Sequence, residues 1–330
     1  MIIAEIGLSH NGNLNTAHKY IDELANQGID ALKFQTHIAE AESSEYEQFR
    51  VRFNNKDRSR FDYWKRTEFD YKEWEELKSH CDELNIEFFS TPSSLAAVDL
   101  LEKLDVKRYK VGSGDTSNLL LLNKIGETKK PIILSTGMSP YDEIESSINF
   151  INKFGSPVTL MQCTSKYPTR PQDWGLNVIQ ELKDLFNTPV GFSDHSGTIY
   201  PCLAAAGLGA DIFEFHVVFD KNELGPDVSS SISISQVKTL TEGINSIRTG
   251  INNPIKKNDN SEYLEIRKIF GKSLSINKNK ILGDTIEFED LESKKPSECG
   301  IPAKDFEEVV GKTLNKNIVK WSFLNWEDLD

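Results

Sequence analysis

The chain has 330 residues, of which 38% are hydrophobic and 27% are charged, and its formal net charge at pH 7 is −13. This composition is that of a globular protein with room for one large domain and a small one. The negative charge argues against nucleic acid or an anionic membrane as a general partner. No signal-like leader and no membrane-spanning apolar run of ~20 residues is present, and the cysteines form no Cys-x-x-Cys pair. We therefore expect a cytoplasmic protein with free thiols.

Short apolar runs alternate with amphipathic segments through the first three quarters of the chain. The amphipathic segments, such as Thr16–Asn26 and Tyr71–Leu84, repeat apolar residues every three or four positions and predict helices. Eight strand–helix units in about 250 residues favour a (β/α)8 barrel, with a doubly wound sheet as the alternative. The predicted strands are Ile2–Ile6, Ala31–Gln35, Ile86–Ser90, Arg108–Gly112, Pro131–Ser135, Val158–Cys163, Val190–Ser193 and Asp211–His216.

One connection, between the second and third strands, is longer than the others. Its residues 49–66 are rich in arginine, lysine and aromatic side chains. The segment is either a solvated surface excursion, or a lid or oligomer contact that brings positive charge to the site.

The last quarter of the chain changes in composition. Residues 251–268 are polar and turn-rich, and they predict a linker between a barrel domain at 1–250 and a small module at 269–330. A module of ~60 residues is close to the size at which its own core is marginal. We expect it to pack on the barrel or on a partner subunit.

Polar residues follow every predicted strand, at the end where barrel enzymes carry their chemistry. Lys33 and Lys110 lie within strands and need a partner or a solvated mouth, because a buried unpaired ammonium is costly. Small hydroxyls beside glycines, as at Ser113 and Ser135, suit a phosphate, although a capped turn is the alternative for any one pair. The remaining strand-end residues are Glu5, Gln35, Thr91, Asp115, Ser165, Tyr167, Ser193, Glu214 and, beyond the last strand, Asp227.

Two histidines, His195 and His216, end the seventh and eighth strands, which are neighbours in a barrel. Two imidazoles on one divalent ion leave coordination positions open for substrate oxygens, as a Lewis-acid site requires. Alternatively, one histidine orients a carboxylate and the other caps a strand. His10 and His37 are further candidate ligands, although both follow the ends of their strands.

Eight motifs, taken in chain order, resemble the sialic acid synthase family: AEIGLSHNG, ALKFQTH, FFSTP, YKVGSGD, PIILSTGM, QCTSKYP, GFSDHSG and FEFHVVFDKNELGPD. The C-terminal segments are similar to that family's antifreeze-like (SAF) β-clip domain. The resemblance implies condensation of phosphoenolpyruvate with an N-acylated hexosamine such as N-acetylmannosamine, with C–O cleavage releasing phosphate. It also implies a domain-swapped homodimer in which the SAF domain covers the partner's active site.

The resemblance implies a role at each matching position. His195 and His216 would bind the divalent metal, Mn²⁺ or Mg²⁺. The catalytic residues would be Glu5, Lys33, Lys110 and Asp115, with both lysines on the phosphoenolpyruvate carboxylate. Substrate contacts are implied for Gln35, Thr91, Ser113, Ser135, Ser165, Tyr167, Ser193, Asp227 and Lys295.

Three of these positions depart from the family pattern, which leaves the sugar open. Asp115 replaces a glutamate, Ser165 replaces an asparagine, and Lys295 replaces an arginine that approaches the N-acyl group. Lysine does not reproduce a bidentate guanidinium contact. The product is therefore expected to be N-acetylneuraminate or a legionaminate- or pseudaminate-type acid made from a diamino-dideoxyhexose. A synthase acting on a phosphorylated sugar and a non-catalytic carbohydrate-binding barrel are the alternatives.

Overall fold

The computed structural model describes residues 1–51 and 56–330, which form two compact units, Met1–Asn253 and Pro254–Asp330. In the first unit the parallel strands pair in the order β3-β2-β1-β8-β7-β6-β5-β4, and β3 contacts β4. The predicted (β/α)8 barrel is therefore confirmed. The strands are β1 Ile2–Gly7, β2 Ala31–Thr36, β3 Glu87–Pro92, β4 Tyr109–Val111, β5 Ile132–Ser135, β6 Val158–Cys163, β7 Val190–Asp194 and β8 Phe213–Val218.

Helices follow the strands, and several begin at side-chain caps. The side chain of Asn13 accepts a hydrogen bond from Thr16 N at the start of the first helix. Asp70 and Glu73 form a capping box at another. The helices are α1 Leu14–Leu24, α2 Ala39–Glu42, α3 Arg60–Thr67, α4 Tyr71–Glu83, α5 Leu95–Lys103, α6 Leu119–Glu127, α7 Tyr141–Asn152, α8 Asn177–Phe186, α9 Tyr200–Gly207 and α10 Ile234–Asn252. A short strand, β9 Ser231–Ser233, pairs with β8.

The interior of the barrel is apolar in one layer and polar in the next. The apolar layer is the buried cluster Ile3, Ala31, Phe89, Ile133, Met161 and Ile212. Side chains two positions apart along a strand share a face. Two positions after each member of that cluster stand Glu5, Lys33, Thr91, Ser135, Cys163 and Glu214. The β periodicity thus places a polar layer next to the apolar one, toward the carboxyl ends of the strands.

The long connection after β2 contains α2 and α3, and residues 52–55 of the predicted basic-aromatic segment lie outside the described residues. Tyr63 and Trp64 of α3 are buried with Leu8 and Ala39. The chain also approaches closely at Gly12, whose φ is +74° and where a Cβ atom would lie 2.3 Å from the backbone oxygen of Arg66. The α3 part of the connection is therefore packed against the barrel and is not a solvated excursion.

The second unit has its own core. Its elements are α11 Leu264–Phe270 and the antiparallel strands β10 Ser273–Ile276 and β11 Leu291–Lys294. The core comprises Leu274, Ile276, Ile286, Ile301, Val309, Leu314, Ile318 and Leu324. The segment predicted as a linker, 251–268, is partly helical, since α10 ends at Asn252 and α11 begins at Leu264. No helix among the described residues is long and apolar enough to cross a membrane.

Candidate active site

A cavity of about 320 Å³ opens at the carboxyl ends of the barrel strands. Every strand of the barrel, or the loop that follows it, contributes to the lining. This convergence is what the predicted strand-end chemistry requires. The lining residues are Glu5, Lys33, Gln35, Arg50, Thr91, Ser93, Lys110, Gly112, Ser113, Gly114, Ser135, Met138, Cys163, Ser165, Tyr167, Ser193, His195, Glu214 and His216.

The floor of the cavity is a buried cluster of two ammonium groups and two carboxylates. Lys33 Nζ lies 2.7 Å from Glu5 Oε2 and 3.8 Å from Glu214 Oε1. Lys110 Nζ lies 3.3 Å from Glu214 Oε1. Burial by itself would raise the pKa of Glu214, but Lys110 and Lys33 outweigh it and hold that pKa at about 2. Burial opposes the charge of Lys33, yet Glu214 and Glu5 raise the pKa of Lys33 above its ordinary value.

Neutral side chains add three hydrogen bonds to this floor. Lys33 Nζ donates to Thr91 Oγ1 at 3.1 Å, and Ser193 Oγ donates to Glu214 Oε1 at 3.3 Å. Gln35 Nε2 donates to Glu5 Oε1 at 2.8 Å. The predicted substrate-binding residues Gln35 and Thr91 therefore contact the predicted catalytic residues Glu5 and Lys33, and Ser193 contacts Glu214.

One wall of the cavity consists of small polar residues at the ends of β4, β5 and β6, namely Ser113, Ser135, Cys163 and Ser165. Gly137 N donates to Ser113 Oγ at 3.2 Å, and Ser113 Oγ lies 3.1 Å from Cys163 Sγ. A Cβ atom on Gly137 would lie 2.6 Å from Cys163 Sγ, 2.8 Å from Ser165 Oγ and 2.9 Å from Ser113 Oγ. Any larger residue there would displace these side chains, and with Ser135 nearby this wall has the small hydroxyl groups that suit a phosphate.

The two predicted metal ligands lie side by side, with ring centroids 5.3 Å apart. His195 Nδ1 is 3.0 Å from the carbonyl oxygen of Thr164. A carbonyl oxygen only accepts hydrogen bonds, so Nδ1 carries the hydrogen and the Nε2 lone pair stays available. Burial, followed by the neighbouring His216, lowers the pKa of His195 to about 3. A neutral imidazole oriented by a backbone carbonyl is the form that binds a metal ion.

In the part of the chain that the structure describes, acidic and histidine side chains add no third protein ligand to the pair. Among the described residues, no group of three or more His, Cys, Asp or Glu side chains is arranged to hold a metal ion. The ring of Tyr167 packs beside the pair, with its centroid 4.2 Å from that of His195 and 6.4 Å from that of His216. The pair therefore fits an ion whose other ligands are water or substrate oxygens.

An arginine from the long connection lies at the mouth of the cavity. Arg50 Nη2 lies 2.7 Å from Asp227 Oδ1 and donates to the Pro226 carbonyl at 3.2 Å. Its guanidinium carbon is 3.9 Å from the centroid of the Tyr167 ring, a cation–π distance. The connection thus brings a positive charge to the site, as one of its two interpretations expected.

Comparison with known proteins identifies the family. The NeuB family profile matches residues 20–256. The chain belongs to the NeuB family. It is 38% identical over 323 residues to N,N'-diacetyllegionaminic acid synthase from Campylobacter jejuni, covering 96% of each protein. It is 32% identical over 327 residues to human N-acetylneuraminate-9-phosphate synthase, covering 95% of this chain and 88% of that protein.

A solved structure agrees with this assignment. The N-acetylneuraminic acid synthetase of Leptospira borgpetersenii, crystallised with citrate, is 33% identical with a TM-score of 0.71, over 80% of this chain and 89% of that one. The NeuB-family chain is therefore a nonulosonic acid synthase, an enzyme that forms a carbon–carbon bond. Synthases of this family are metal-dependent.

Two predicted site residues of the NeuB-family barrel lie outside the cavity lining. Asp115 ends the 3₁₀ turn Ser113–Asp115, and its carboxylate accepts from Asn118 Nδ2 at 2.9 Å. The turn presents Gly112 to Gly114 to the cavity and carries Asp115 toward α6. Asp227 forms an ion pair with Arg50, which does line the cavity. Lys295 belongs to the second unit, where its Nζ is 4.7 Å from the centroid of Phe270.

The alternative histidine ligands, His10 and His37, do not line the cavity. His10 Nδ1 accepts from Gly12 N at 3.0 Å, and its ring stacks on Phe69. His37 Nε2 lies 3.3 Å from the side-chain oxygen of Gln35, which lines the cavity. Sequence reasoning marked Glu214 and Ser93 as strand-end residues without assigning them a role, and it did not single out Arg50, Met138 or Cys163. Cys163 and Glu214 could have been identified from the two-residue period of a strand, because each stands two positions after an inward-facing apolar residue.

Proposed function

We propose that this NeuB-family enzyme condenses phosphoenolpyruvate with an N-acylated hexosamine such as N-acetylmannosamine and releases phosphate by C–O cleavage. The observation that carries this proposal is a cavity that joins two buried lysines to a wall of small hydroxyls. Phosphoenolpyruvate carries a carboxylate and a phosphate on one carbon atom. Lys33 and Lys110 suit the carboxylate, and Ser113, Ser135 and Ser193 suit the phosphate.

The chain's own side chains then act on the reacting atoms. The methylene carbon of phosphoenolpyruvate attacks the aldehyde carbon of the open-chain sugar, and positive character develops at the enol carbon. Glu5, held by Lys33 and Gln35, stabilises that carbon and steers the water that adds to it. The resulting tetrahedral species loses phosphate when the C–O bond breaks. Preorganised charges around the carboxylate and phosphate supply much of the catalysis.

His195 and His216 would hold Mn²⁺ or Mg²⁺, which would supply Lewis-acid polarisation of the acceptor's carbonyl. The neutral His195 ring, with Nδ1 bound to the Thr164 carbonyl, supports this assignment. Gln35 and Tyr167 line the cavity beside the pair and would orient the sugar.

The mouth of the cavity favours an uncharged acceptor. Arg50, the arginine at the mouth, is paired with Asp227. The phosphate of a phosphorylated sugar would have to compete with the Asp227 carboxylate for this cation. A diacetylated diamino sugar is the second acceptor we consider, because the legionaminic acid synthase of C. jejuni is 38% identical to this chain.

The second unit would serve as the SAF domain of a domain-swapped homodimer, with Lys295 reaching the N-acyl group in the partner's site. Its α11 exposes Ile266, Ile269 and Phe270, and apolar side chains in such a cluster suit a subunit contact. The four cysteines are free, which supports the proposal of a reducing cytoplasm.

An acceptor panel tests the function. The enzyme is incubated with Mn²⁺, phosphoenolpyruvate and one of three acceptors: N-acetylmannosamine, its 6-phosphate, or a diacetylated diamino-deoxyhexose. Phosphate release is followed with and without each sugar. We expect sugar-dependent phosphate only with an unphosphorylated acceptor. Faster turnover of the 6-phosphate would contradict the acceptor assignment, and no sugar-dependent phosphate with any acceptor would contradict the synthase.

A further inference from the structure

A stacked pair of rings links the long connection to the active site. The indole of Trp64, on α3, lies on the imidazole of His37 with ring centroids 3.9 Å apart and planes 17° apart. Trp64 Nε1 donates to Glu47 Oε2 at 2.8 Å, and the Arg60 guanidinium lies 4.3 Å from the indole centroid. Trp64 and His37 are only 6% and 7% exposed. The plane of the His37 ring is therefore fixed by packing and not by solvent.

From His37 a hydrogen-bond chain runs to the cavity floor. Gln35 Nε2 donates to Glu5 Oε1 at 2.8 Å, and Gln35 Oε1 lies 3.3 Å from His37 Nε2. Since an amide oxygen only accepts, His37 Nε2 is the donor in that contact. The other ring nitrogen, Nδ1, lies 2.6 Å from Glu42 Oε1. A carboxylate oxygen also only accepts, so Nδ1 carries a hydrogen as well, and His37 donates to Gln35 from one edge of its ring and to Glu42 from the other.

This chain decides which end of the Gln35 amide faces Glu5. A flipped amide would place its oxygen against the Glu5 carboxylate, where two acceptors would repel each other. Glu5 is fully buried, and its contacts are Lys33 on one oxygen and Gln35 on the other. Gly7 adjoins this contact: its φ of +53° favours glycine, and a Cβ atom there would lie 3.3 Å from Glu5 Oε1 and 3.4 Å from Gln35 Nε2.

We propose that His37 is a positioning residue that orients Glu5 through Gln35, and that Trp64 holds His37 in place for this purpose. The inference rests on the proposed function of Glu5 at the reaction centre. The inference gives the basic-aromatic connection a second role besides the charge of Arg50. Trp64 on α3 packs on His37, and His37 orients Glu5 through Gln35. Glu5 acts after both substrates are bound, so the loss of His37 affects turnover more than phosphoenolpyruvate binding.

Substitution at His37 tests the donor. In His37→Leu no hydrogen is available to Gln35, whereas in His37→Gln the side-chain amide nitrogen takes the place of Nε2. We expect His37→Leu to lower kcat by about 10- to 100-fold, with an unchanged KM for phosphoenolpyruvate. Losses of this size are typical when a residue that only orients an active-site group through a hydrogen bond is removed. His37→Gln should recover most of kcat. Equal kcat values in the two variants, or a KM effect alone, would overturn the proposal. His18→Leu, on α1, is the matched control and should behave as wild type.

A double-mutant cycle separates positioning from a general structural effect. If His37 acts through Gln35, then His37→Leu/Gln35→Leu is no slower than Gln35→Leu alone. Multiplicative losses would overturn the proposal. Trp64→Leu should reproduce the kcat loss and Trp64→Phe, which keeps a stacked ring, should not. The Trp64 pair keeps the test available if His37→Leu does not fold.

A structural readout makes the inference independent of turnover. A crystal structure of His37→Leu should show the Gln35 amide rotated away from Glu5. Retention of the Gln35–Glu5 hydrogen bond in that variant would refute this inference and leave the proposed function intact. A wild-type enzyme without sugar-dependent phosphate release would instead refute the proposed function, while the Gln35 geometry would still decide the positioning role.

Discussion

Lys33 and Glu5 form a 2.7 Å ion pair inside the barrel, with side chains that are 4% and 0% exposed. Both stand two positions after members of the apolar layer, Ala31 and Ile3. Taking two charges out of water costs more than their attraction commonly returns, so such a pair is poorly explained by stability alone. The proposed binding of a substrate carboxylate to Lys33, in exchange for a protein carboxylate, would explain why the pair lies at the floor of the cavity.

Breaking this pair on one side should destabilise the protein. Lys33→Met leaves Glu5 buried beside one neutral donor, Gln35, and we expect a loss of about 3 kcal/mol in the free energy of unfolding. Urea unfolding measures it. The double variant Lys33→Met/Glu5→Gln removes both charges and should recover part of the loss. Strictly additive losses would show that the two charges do not compensate each other.

His216→Ala should abolish metal-dependent turnover without unfolding the chain. Removing one of two imidazoles takes away the electrophilic contact to the acceptor, and we expect kcat to fall by more than about 100-fold. Mn²⁺ affinity, measured by calorimetry, should fall in parallel, and the melting temperature of the apoprotein should not. Full activity, or unchanged Mn²⁺ affinity, would remove the metal assignment. His18→Ala is the control.

Gly137→Ala should damage the proposed phosphate wall. The added Cβ would lie within 3 Å of Cys163, Ser165 and Ser113, so those side chains must move. We expect the KM for phosphoenolpyruvate to rise by about 10-fold or more, as for a lost charge-assisted hydrogen bond, with a smaller effect on the acceptor KM. Gly250→Ala, on α10, has no atom within 4 Å of the added Cβ and should leave both KM values unchanged. A larger effect on the acceptor KM would place the phosphate elsewhere.

Asp290 makes the second unit sensitive to acid. Burial would raise its pKa, but the Glu287 amide and the ammonium groups of Lys278 and Lys280 outweigh burial and hold the pKa at about 2. A pKa below the unfolded value of 3.8 means that the stabilisation is complete above pH 3.8 and is lost as pH falls toward 2. It amounts to about 2 kcal/mol.

Unfolding of Asp290→Asn, compared with wild type from pH 7 to pH 3, measures this contribution. We expect the variant to be less stable by about 2 kcal/mol at pH 7. The difference should narrow as the pH falls below 4, because wild type then begins to lose the ionised carboxylate. A difference that is constant with pH would contradict the electrostatic explanation. Glu289→Gln, an exposed neighbour, should show no such difference.

The barrel and the floor of its site were predictable from local pattern. Apolar runs that end in polar residues marked each strand, and a period of two carries Ile3 to Glu5 and Ile212 to Glu214. The pairing of Glu214 with Lys110 was not predictable, because the two residues are 104 positions apart. That contact depends on closure of the barrel, which no local pattern specifies.

The residues at the mouth of the site were harder to predict. Arg50 lies in a connection without a periodic pattern: the positive charge of the connection could be read from the sequence, but the position of Arg50 over the Tyr167 ring could not. The position of Asp115 outside the cavity lining was not predictable for a similar reason, because a 3₁₀ turn of three residues sets its direction. The helical part of the predicted linker was missed because α11 is only seven residues long and exposed.

The proposed reaction joins phosphoenolpyruvate to an N-acylated sugar in this cavity and breaks the C–O bond. The most direct measurement uses phosphoenolpyruvate labelled with ¹⁸O at the bridging oxygen, together with the best acceptor of the panel and Mn²⁺. Mass spectrometry follows both products. We predict sugar-dependent phosphate that retains the label and an equal amount of an unlabelled nine-carbon α-keto acid. Unlabelled phosphate with a labelled keto acid, or phosphate release that does not depend on the sugar, would contradict the claim.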